Sequence, residues 1–469
     1  MKSDIVELTI KKLRDGISQK QFSIQEVVEA YITNINKYES KINAFNTVQN
    51  DEEIQILIRA LGNNTEKSLS GIPFSLKDAY VTKGVTTTAG SKVLDGYQPQ
   101  YNATAYQKIL NQGGILLGKN SQDAWGHGST SENTDFKIPK NPWDKERVAG
   151  GSSGGSAAAI SARMVPFAIG EDTGGSIRNP ASFCGITGLK VTYGRVSRYG
   201  AIAYASSLDT VGPMAKNVED AALVLTIIAG KDPYDATTSP LPVPNYFNEL
   251  KRGIRGKRIG IPKEFFQEGT DKEVIQKVKE ALYKFEELGA ELIEVSIPSI
   301  DIGVAAYYLL APSETSSNLA RYDGIRYGHT RNNFTVETMR RIMIGTYALS
   351  AGYYDAYYKK SLKARTIIIK DYKKAFEKCD MLIGPVNPTP APKLGELTSD
   401  PVQLMLSDVY TLTQNIAGIP SLALPCGFSS TGLPIGMQIM GNMFDETTIL
   451  QTGYAYQQAT DWHKMKPKL

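Results

Sequence analysis

The sequence predicts an α/β fold: a single large domain with a mixed, mostly parallel central sheet that helices cover on both faces. Two observations lead to this prediction. Short apolar segments alternate with amphipathic helical segments along most of the chain. In the region 257–298, the strand-like KRIGIP and AELIEVSIP flank the helical DKEVIQKVKEALYKFEELG. This order of strand, helix and strand is typical of a parallel sheet packed against helices.

The individual elements follow in chain order. The N-terminal segment, about 1–65, is predicted to be helical and packed on the domain, because Ser23 and Glu26 have capping-box spacing before an amphipathic run. Buried strands are predicted at GIPFSLKD, GGILLGK and VPFAIG, and a tightly packed helix at SAAAISARM. The C-terminal third adds the strands DMLIGP, SLALPCG and PIGMQIMG and a closing helix from about Asp445. Because no repeat or long linker interrupts residues 1–469, one domain is expected.

Composition excludes several classes of protein. The 469 residues include 52 Lys and Arg against 48 Asp and Glu, without a basic block, so this chain alone is not predicted to bind nucleic acid. The N-terminus lacks the apolar core of a secretory signal, and no run of about eighteen apolar residues occurs, so a cytoplasmic protein outside the membrane is expected. The cysteines lack metal-binding spacing, so no metal site is predicted. We expect reduced packing residues at Cys184, Cys379 and Cys426.

The stretch AGGSSGGSAAA, residues 149–159, is rich in glycine and serine and leads into an alanine-rich helix. A flexible linker is one interpretation of such a run. Residues 150–154 also match G-x-S-x-G, the elbow of α/β-hydrolases, but the polar PKNPWDKERVA before them predicts no entering strand, and the histidine would have to be His329 or His463. Residues 113–120 match most of a phosphate-binding loop, but an amide replaces the magnesium-binding hydroxyl, and ILL predicts a strand.

A second cluster, GEDTGGSIRNPASFCG, indicates acyl chemistry. Consecutive glycines let backbone N–H groups converge on an oxyanion, here from Thr173, Gly174, Gly175 and Ser176. A serine nucleophile needs a base. The chain has only 3 histidines, and Lys77 ends an apolar strand where burial would depress its pKa. A hydroxyl both donates and accepts, so Ser152 between Lys77 and Ser176 would relay the proton.

Together, SLKD, GGSSGGSAAA and DTGGSIRNPASFCG strongly resemble the amidase signature family. The resemblance implies an amidase-signature catalytic domain with a Ser, cis-Ser, Lys triad that hydrolyses carboxamides through an acyl-enzyme. It implies that Lys77 is the base, that Ser152 is the bridging serine after a cis peptide bond, and that Ser176 is the nucleophile. Ser153 is the alternative bridging residue.

Within this family the chain is most similar to the glutamine-hydrolysing subunits of tRNA-dependent amidotransferases. The segments that carry this likeness are TYGRVSRYGAIAYASSLDTVGPMAKNVEDAA, SNLARYDGIRYG and RRIMIGTYALSAGYYDAYYKKSLKAR. A pocket for glutamine needs an arginine for the α-carboxylate and a carboxylate for the α-ammonium. The resemblance places these at Arg341 and Asp408, with a hydroxyl from Tyr307.

The same resemblance implies partners. Ammonia from glutamine would pass to a B subunit, which uses ATP and Mg²⁺ to act on Glu-tRNA(Gln), and a small C subunit would join the two; this chain would hold no cofactor. A stand-alone amidase for small carboxamides and a non-catalytic scaffold are the alternatives. The chain departs from the family in a shortened segment, 330–339, and in SQDAWGHGST, which places Trp125 and His127 beside the expected pocket wall. We expect His127 to be packed and hydrogen-bonded rather than catalytic.

Overall fold

A computed structural model describes residues 5–62 and 66–469. The strands in these ranges are β1 (Phe45–Val48), β2 (Pro73–Lys77), β3 (Ile115–Asn120), β4 (Lys140–Asn141), β5 (Asp144–Val148), β6 (Phe167–Asp172), β7 (Thr187–Lys190), β8 (Thr210–Ala215), β9 (Arg258–Pro262), β10 (Glu291–Val295), β11 (Met381–Pro385), β12 (Ser421–Phe428) and β13 (Pro434–Gly441).

The helices of these ranges surround the strands. They are α1 (Ile10–Ser18), α2 (Ile24–Ile42), α3 (Asp51–Leu61), α4 (Thr104–Asn111), α5 (Gly154–Ser161), α6 (Arg178–Cys184), α7 (Val218–Ile228), α8 (Tyr246–Glu249), α9 (Lys272–Glu287), α10 (Ile300–Asn318), α11 (Val336–Leu349), α12 (Tyr358–Phe376), α13 (Pro401–Leu406), α14 (Leu412–Ala417) and α15 (Glu446–Ala459).

One large mixed sheet organises the described part of the chain. Its eleven strands lie in the order β1-β3-β2-β6-β8-β7-β12-β13-β11-β9-β10, and β4 and β5 pair separately. Every residue of β2, β3, β6, β7, β8, β11 and β13 is buried. Strands buried along both faces require packed layers on each side. The α/β prediction, with one mixed sheet and helices packed on it, is therefore confirmed.

The parallel share of the sheet is smaller than expected. Among the ten described neighbour pairs, β2 is parallel to β3 and β6, and β9 is parallel to β10 and β11; the other six pairs are antiparallel. The reason lies in the connections. β12 and β13 are joined by the short loop 429–433, which contains no crossover helix and can only return the chain antiparallel. The strand, helix, strand unit of β9, α9 and β10 has the predicted parallel pairing.

The N-terminal helices pack on this sheet domain. Ser23 accepts a hydrogen bond from the Glu26 amide, and the Glu26 carboxylate accepts one from the Ser23 amide, so the predicted capping box is present at the start of α2. Buried Ile10, Leu13 and Tyr31 belong to the main hydrophobic core. The Ile10 N–H also donates to the buried Asp220 Oδ1 at 2.8 Å.

Two further features of the described ranges concern membranes and thiols. No helix there is long and apolar enough to cross a bilayer. The thiols of Cys184, Cys379 and Cys426 are free and buried, in agreement with packing roles.

Candidate active site

Two neighbouring parallel strands end at the predicted active site, and a loop brings the relay serine to them. Lys77 is the last residue of β2, and β6, its neighbour in the sheet, ends at Asp172 just before the predicted nucleophile. The loop before α5 places Ser152 between these strand ends, and the Gly151–Ser152 peptide bond is cis. Lys77 Nζ donates to Ser152 Oγ at 2.7 Å, and both side chains are buried.

The two candidate bridging serines have different partners. Ser153 Oγ donates to the Glu171 carbonyl oxygen at 3.2 Å and accepts from the Glu171 N–H at 3.4 Å, so it is bonded to the backbone of β6. The hydroxyl on Lys77 is that of Ser152. The geometry therefore favours Ser152 over Ser153 as the relay.

Ser176 opens into a small cavity next to this pair. It is 7% exposed and lines the cavity together with Gly126, Gly151, Tyr307, Arg341 and Asp408. No side chain of the described residues hydrogen-bonds to its hydroxyl, whereas its carbonyl oxygen accepts from the Ser153 N–H at 3.1 Å. A free hydroxyl at the wall of a cavity is accessible to a bound carbonyl group.

Of the four predicted oxyanion donors, Gly175 is already engaged. Its N–H donates to Asp172 Oδ1 at 2.8 Å and is not free for an oxyanion in this structure. Within the described ranges the N–H groups of Thr173, Gly174 and Ser176 have no intramolecular acceptor. The Asp172 carboxylate folds back over the turn that follows its own strand and accepts the Gly175 N–H together with those of Ile177 and Arg178.

Sequence reasoning missed the side chains that hold this turn. Asp172 Oδ2 accepts from the Ile177 N–H at 3.1 Å and from Arg178 Nε at 3.0 Å, and both charged side chains are fully buried. Despite burial, the Arg178 guanidinium lowers the pKa of Asp172 to about 2. Thr411 Oγ1 donates to the Gly174 carbonyl at 2.7 Å. The acid and arginine within EDTGGSIR were the available signal, because buried ions need partners.

A glycine is required at two positions of this turn. A Cβ on Gly174 would lie 2.6 Å from the Tyr307 ring and hydroxyl, and one on Gly175 would lie 2.4 Å from Thr411 Oγ1. Gly175 also has a φ of +134°, which disfavours other residues. The paired glycines let the turn pass closely beneath the side chains that cover it.

Burial shifts the charge of the base in the direction that catalysis needs. Burial lowers the pKa of Lys77, and the carboxylate of Glu171 opposes that shift. Glu171 Oε2 lies 3.5 Å from Lys77 Nζ. Burial in turn raises the pKa of Glu171. The depressed pKa agrees with the direction expected for Lys77, whereas its acidic neighbour Glu171 has no signal in the sequence.

The predicted arginine of the substrate clamp reaches the cavity from α11. Arg341 is 4% exposed, and its Nε donates to Glu337 Oε1 at 2.8 Å. A second nitrogen, Nη1, donates to the Tyr204 hydroxyl. The guanidinium lies 5.4 Å from the centre of the Tyr308 ring. A buried cation held in this way is a ready site for a carboxylate.

The predicted acid of the clamp lies on the same cavity. Asp408 Oδ2 accepts from Ser129 Oγ at 2.5 Å and from the Tyr308 hydroxyl at 3.0 Å. Burial raises the pKa of Asp408 to about 6. The structure thus brings Arg341 and Asp408 to the cavity of Ser176, although they are far apart from it in sequence. Ser129 and Tyr308 were not predicted, because nothing local distinguishes them from core residues.

Tyr307 lies on the cavity wall, and its hydroxyl donates to the Tyr204 hydroxyl at 3.4 Å. Its ring covers Gly174, as described above. Tyr204 therefore links Tyr307 to Arg341, and this link could not be predicted because Tyr204 comes from a loop between β7 and β8.

His127 is buried and hydrogen-bonded, as expected. Its ring nitrogens lie 3.2 Å from Thr338 Oγ1 and 3.3 Å from Thr315 Oγ1. Burial, together with the charge of Arg341, lowers its pKa well below the usual value. Trp125 packs its ring on Tyr322 at 4.7 Å between centres. Both residues support the wall rather than line the cavity of Ser176.

The shortened segment 330–339 forms the entry to α11. Residues 331–333 make a short 3₁₀ turn, and the Thr335 hydroxyl then caps the helix by accepting from the Thr338 N–H. This turn and cap set the start of the helix that carries Arg341.

The positions of His329 and His463 exclude the hydrolase-elbow alternative. Contrary to expectation, a strand, β5, does precede the elbow sequence, but it pairs with β4 in a separate two-stranded sheet, bridges Lys393 through Arg147 and lies outside the central sheet. His329 is exposed and its Nε2 contacts the Asp95 carbonyl at 3.3 Å, while His463 follows α15 near the C-terminus. Neither histidine lines the cavity of Ser176.

The phosphate-loop alternative fails as well, because residues 115–120 are strand β3. Lys119 is buried and donates to the Tyr80 carbonyl at 2.7 Å and to Thr87 Oγ1 at 2.8 Å. Its amine is therefore part of the core hydrogen-bond network. Residues 5–62 and 66–469 contain no cluster of three or more His, Cys, Asp or Glu side chains that could hold a metal ion.

Comparison with known proteins assigns the class. The family model described as Amidase matches residues 26–450. The chain belongs to the amidase family and is an enzyme of that family.

Particular members of that family are closely similar. The A subunit of glutamyl-tRNA(Gln) amidotransferase from Thermoanaerobacter pseudethanolicus is 50% identical, with 98% of each chain covered. The protein of the same name from Caldanaerobacter subterraneus subsp. tengcongensis is 49% identical, with 97% of each chain covered. The crystal structure of the A subunit of glutamyl-tRNA(Gln) amidotransferase from Thermotoga maritima matches with a TM-score of 0.87 and 37% identity, over 99% of this chain and 97% of that one.

Proposed function

We propose that this chain is the glutaminase component, the A subunit, of a glutamyl-tRNA(Gln) amidotransferase. The observation that carries the proposal is the composition of one cavity, which is lined by Ser176 and also by the buried pair Arg341 and Asp408. A general amidase needs a nucleophile such as Ser176 but does not need the charged pair. A cation and an anion on the same wall match the two α-substituents of an amino acid.

In this proposal glutamine binds with its α-carboxylate on Arg341 and its α-ammonium on Asp408. Tyr308 and Ser129 hold the Asp408 carboxylate in place through their hydroxyl groups. The side-chain amide then extends toward Ser176. Tyr307 covers the turn below and limits how the substrate chain can bend.

Acylation follows from the hydrogen bond between Lys77 and Ser152. Ser176 Oγ attacks the amide carbon as its proton passes to Ser152 and the Ser152 proton passes to neutral Lys77. The carbonyl electron pair moves to oxygen, which accepts hydrogen bonds from N–H groups of Thr173, Gly174 and Ser176. The proton returns through Ser152 to the leaving nitrogen, the C–N bond breaks, and ammonia departs. Water then attacks the ester with the same base, and glutamate is released.

The remaining steps belong to partners. The ammonia would be used by a B subunit, with ATP and Mg²⁺, to convert Glu-tRNA(Gln) into Gln-tRNA(Gln) in the cytoplasm, and a C subunit would join the other two. This chain would supply no cofactor and would meet the tRNA only through the B subunit.

The test is Ser176→Ala in the complex assembled with its B and C subunits. Glutamine-dependent transamidation should be lost, because the nucleophile is gone, while transamidation with added ammonium salt should continue at the wild-type rate. The two assays use the same preparation and the same tRNA, so a folding defect would lower both.

Two results would contradict the proposal. Loss of both activities in a folded complex would show that this chain does more than release ammonia. Hydrolysis of simple aliphatic or aryl amides by the wild-type protein at a higher kcat/KM than glutamine would identify it as a general amidase instead.

A further inference from the structure

A buried acid, Glu171, contacts the lysine base and has no part in the proton transfers of the proposed mechanism. Glu171 is the residue before Asp172 on β6, and its side chain is 2% exposed beside the fully buried Lys77. Its Oε2 lies 3.5 Å from Lys77 Nζ, and its Oε1 has no hydrogen-bond partner in the described ranges. A buried carboxyl group is costly unless it is paired, and the amine of Lys77 is the pairing group in contact.

We propose that Glu171 is a positioning residue for the lysine base: its carboxylate holds the Lys77 amine against Ser152 and stabilises the ammonium that forms during acylation. The inference rests on the proposed function, since it concerns the same proton transfer. It adds a fourth member to the predicted triad.

The contacts of the Lys77 amine support this role. Its polar neighbours are Ser152 Oγ at 2.7 Å, the Glu171 carbonyl at 3.5 Å and the Glu171 carboxylate at 3.5 Å. Ser153 fixes the Glu171 backbone from the same loop that carries Ser152. One residue therefore supplies two of the three polar contacts of the amine, and it is tied to the relay serine's own segment.

Charge balance gives the carboxylate its function. In the proposed role Lys77 is neutral and Glu171 is ionised before acylation, so the pair carries one negative charge. When the proton of Ser176 arrives through Ser152, the pair becomes a neutral ion pair, and the developing ammonium is stabilised. Burial alone disfavours that ammonium, and Glu171 opposes the effect of burial on the pKa of Lys77.

The other charged groups around the pair are less suited to this role. Arg178 neutralises Asp172, and burial raises the pKa of Asp123 to about 7 and that of Asp209 to about 8. The charge of Arg198 lowers the pKa of Glu171 and so favours its ionised form. The Tyr80 hydroxyl donates to the Gly170 carbonyl at 2.7 Å and is therefore engaged with the backbone of β6. Asp123 is bonded to the Ser131 and Asn133 N–H groups, and Asp209 to the Thr173 hydroxyl.

The test is Glu171→Gln in the assembled complex. Without the carboxylate the proton affinity of Lys77 falls, so the amine is neutral down to a lower pH. The rise of glutaminase kcat with pH should shift to lower pH by about one unit or more. The plateau kcat should fall, because the ammonium is less stable, and the KM for glutamine should stay unchanged.

Two controls separate this role from a structural one. Glu39→Gln removes another carboxyl group whose pKa burial raises, to about 7, but which binds the Ala44 and Phe45 N–H groups instead of the amine; its pH profile should match the wild type. Glu171→Asp keeps a carboxylate and should restore most of the pH profile. An unshifted profile for Glu171→Gln, or a changed KM with unchanged kcat, would overturn the inference.

Labelling of Ser176 by a fluorophosphonate at a series of pH values distinguishes this inference from the proposed function. The labelling rate reports activation of the nucleophile and does not require glutamine. A wild-type protein that labels at Ser176 but does not hydrolyse glutamine would contradict the proposed function alone. A Glu171→Gln protein whose labelling has the wild-type pH dependence would contradict the role of Glu171 alone.

Discussion

The catalytic side and the recognition side of the cavity are built in different ways. The catalytic side comes from the ends of β2 and β6, which are neighbours in the sheet, and from the loop before α5, which hydrogen-bonds to β6. The recognition side combines Arg341 from α11 with Asp408 from the loop between α13 and α14. The first is a packed glycine and serine backbone, and the second is a set of long polar side chains. In the proposed function the backbone of the first side positions the reacting atoms, and the side chains of the second select the substrate.

This comparison predicts that changes on the catalytic side affect kcat and that changes on the recognition side affect KM. The largest effect is expected for Lys77→Met, which keeps the side-chain length and removes the amine. Without a base for Ser152, kcat should fall about 10³-fold, the usual scale for general-base catalysis. Glutaminase kinetics of the complex would measure it, with KM nearly unchanged. A changed KM with an unchanged kcat would contradict the assignment of Lys77 to the catalytic side.

The next largest effect is expected for Arg341→Met. Loss of a buried cation that pairs with the substrate carboxylate should raise the KM for glutamine about 10²-fold. Hydrolysis of a simple amide without an α-carboxylate should be unaffected, which gives an internal reference.

Arg340→Met is the matched control for this change. Arg340 also pairs with Glu337, but its side chain is 37% exposed and does not line the cavity. Its loss should leave the KM for glutamine unchanged. Equal effects of the two substitutions would show that Glu337, rather than the substrate, is the important partner of Arg341.

A smaller effect with a distinct pH dependence is expected for Asp408→Asn. The carboxylate must be ionised to bind ammonium, and its pKa is raised to about 6, so wild-type affinity should fall as the pH drops below about 6. Asp408→Asn should bind about 20-fold more weakly above that pH and lack the fall below it. Calorimetry in a Ser176→Ala background isolates binding from catalysis. If the affinity for glutamine still falls below about pH 6 in Asp408→Asn, the titrating group is a residue other than Asp408.

The smallest effect is expected for Tyr308→Phe, which removes the 3.0 Å hydrogen bond to Asp408 and keeps the ring beside Arg341. The KM for glutamine should rise about 5-fold, on the scale of the net contribution of one typical hydrogen bond, because the carboxylate keeps its bond from Ser129. A rise as large as that of Asp408→Asn would mean that the hydroxyl contacts the substrate directly.

The difference between the two sides also decides what the sequence could predict. Lys77, Ser152 and Ser176 lie in short segments whose composition is unusual, so chemistry and family resemblance together locate them. Arg341 and Asp408 were placed by resemblance alone, because an arginine on a helix and an acid in a loop have no local signature. The sheet, the capping box and the strand, helix, strand unit followed from periodicity.

What remained beyond prediction depends on tertiary contacts. The Asp172 carboxylate accepts from the N–H of Gly175, one of the four predicted oxyanion donors. Glu171 is one residue away in sequence, yet its approach to Lys77 depends on the pairing of β2 with β6. Tyr204 meets Arg341 from a loop more than a hundred residues earlier. Antiparallel pairing of the central strands likewise depends on connections that periodicity does not reveal.

In the proposed mechanism Ser176 carries the acyl group, and trapping that intermediate is the decisive experiment. The assembled complex would be mixed with glutamine, quenched in acid within the first turnover, digested and analysed by mass spectrometry. The account predicts a glutamyl ester on the peptide that contains Ser176 and its absence in Ser176→Ala. Consumption of glutamine with no ester at Ser176, or with the glutamyl group on another residue, would contradict it.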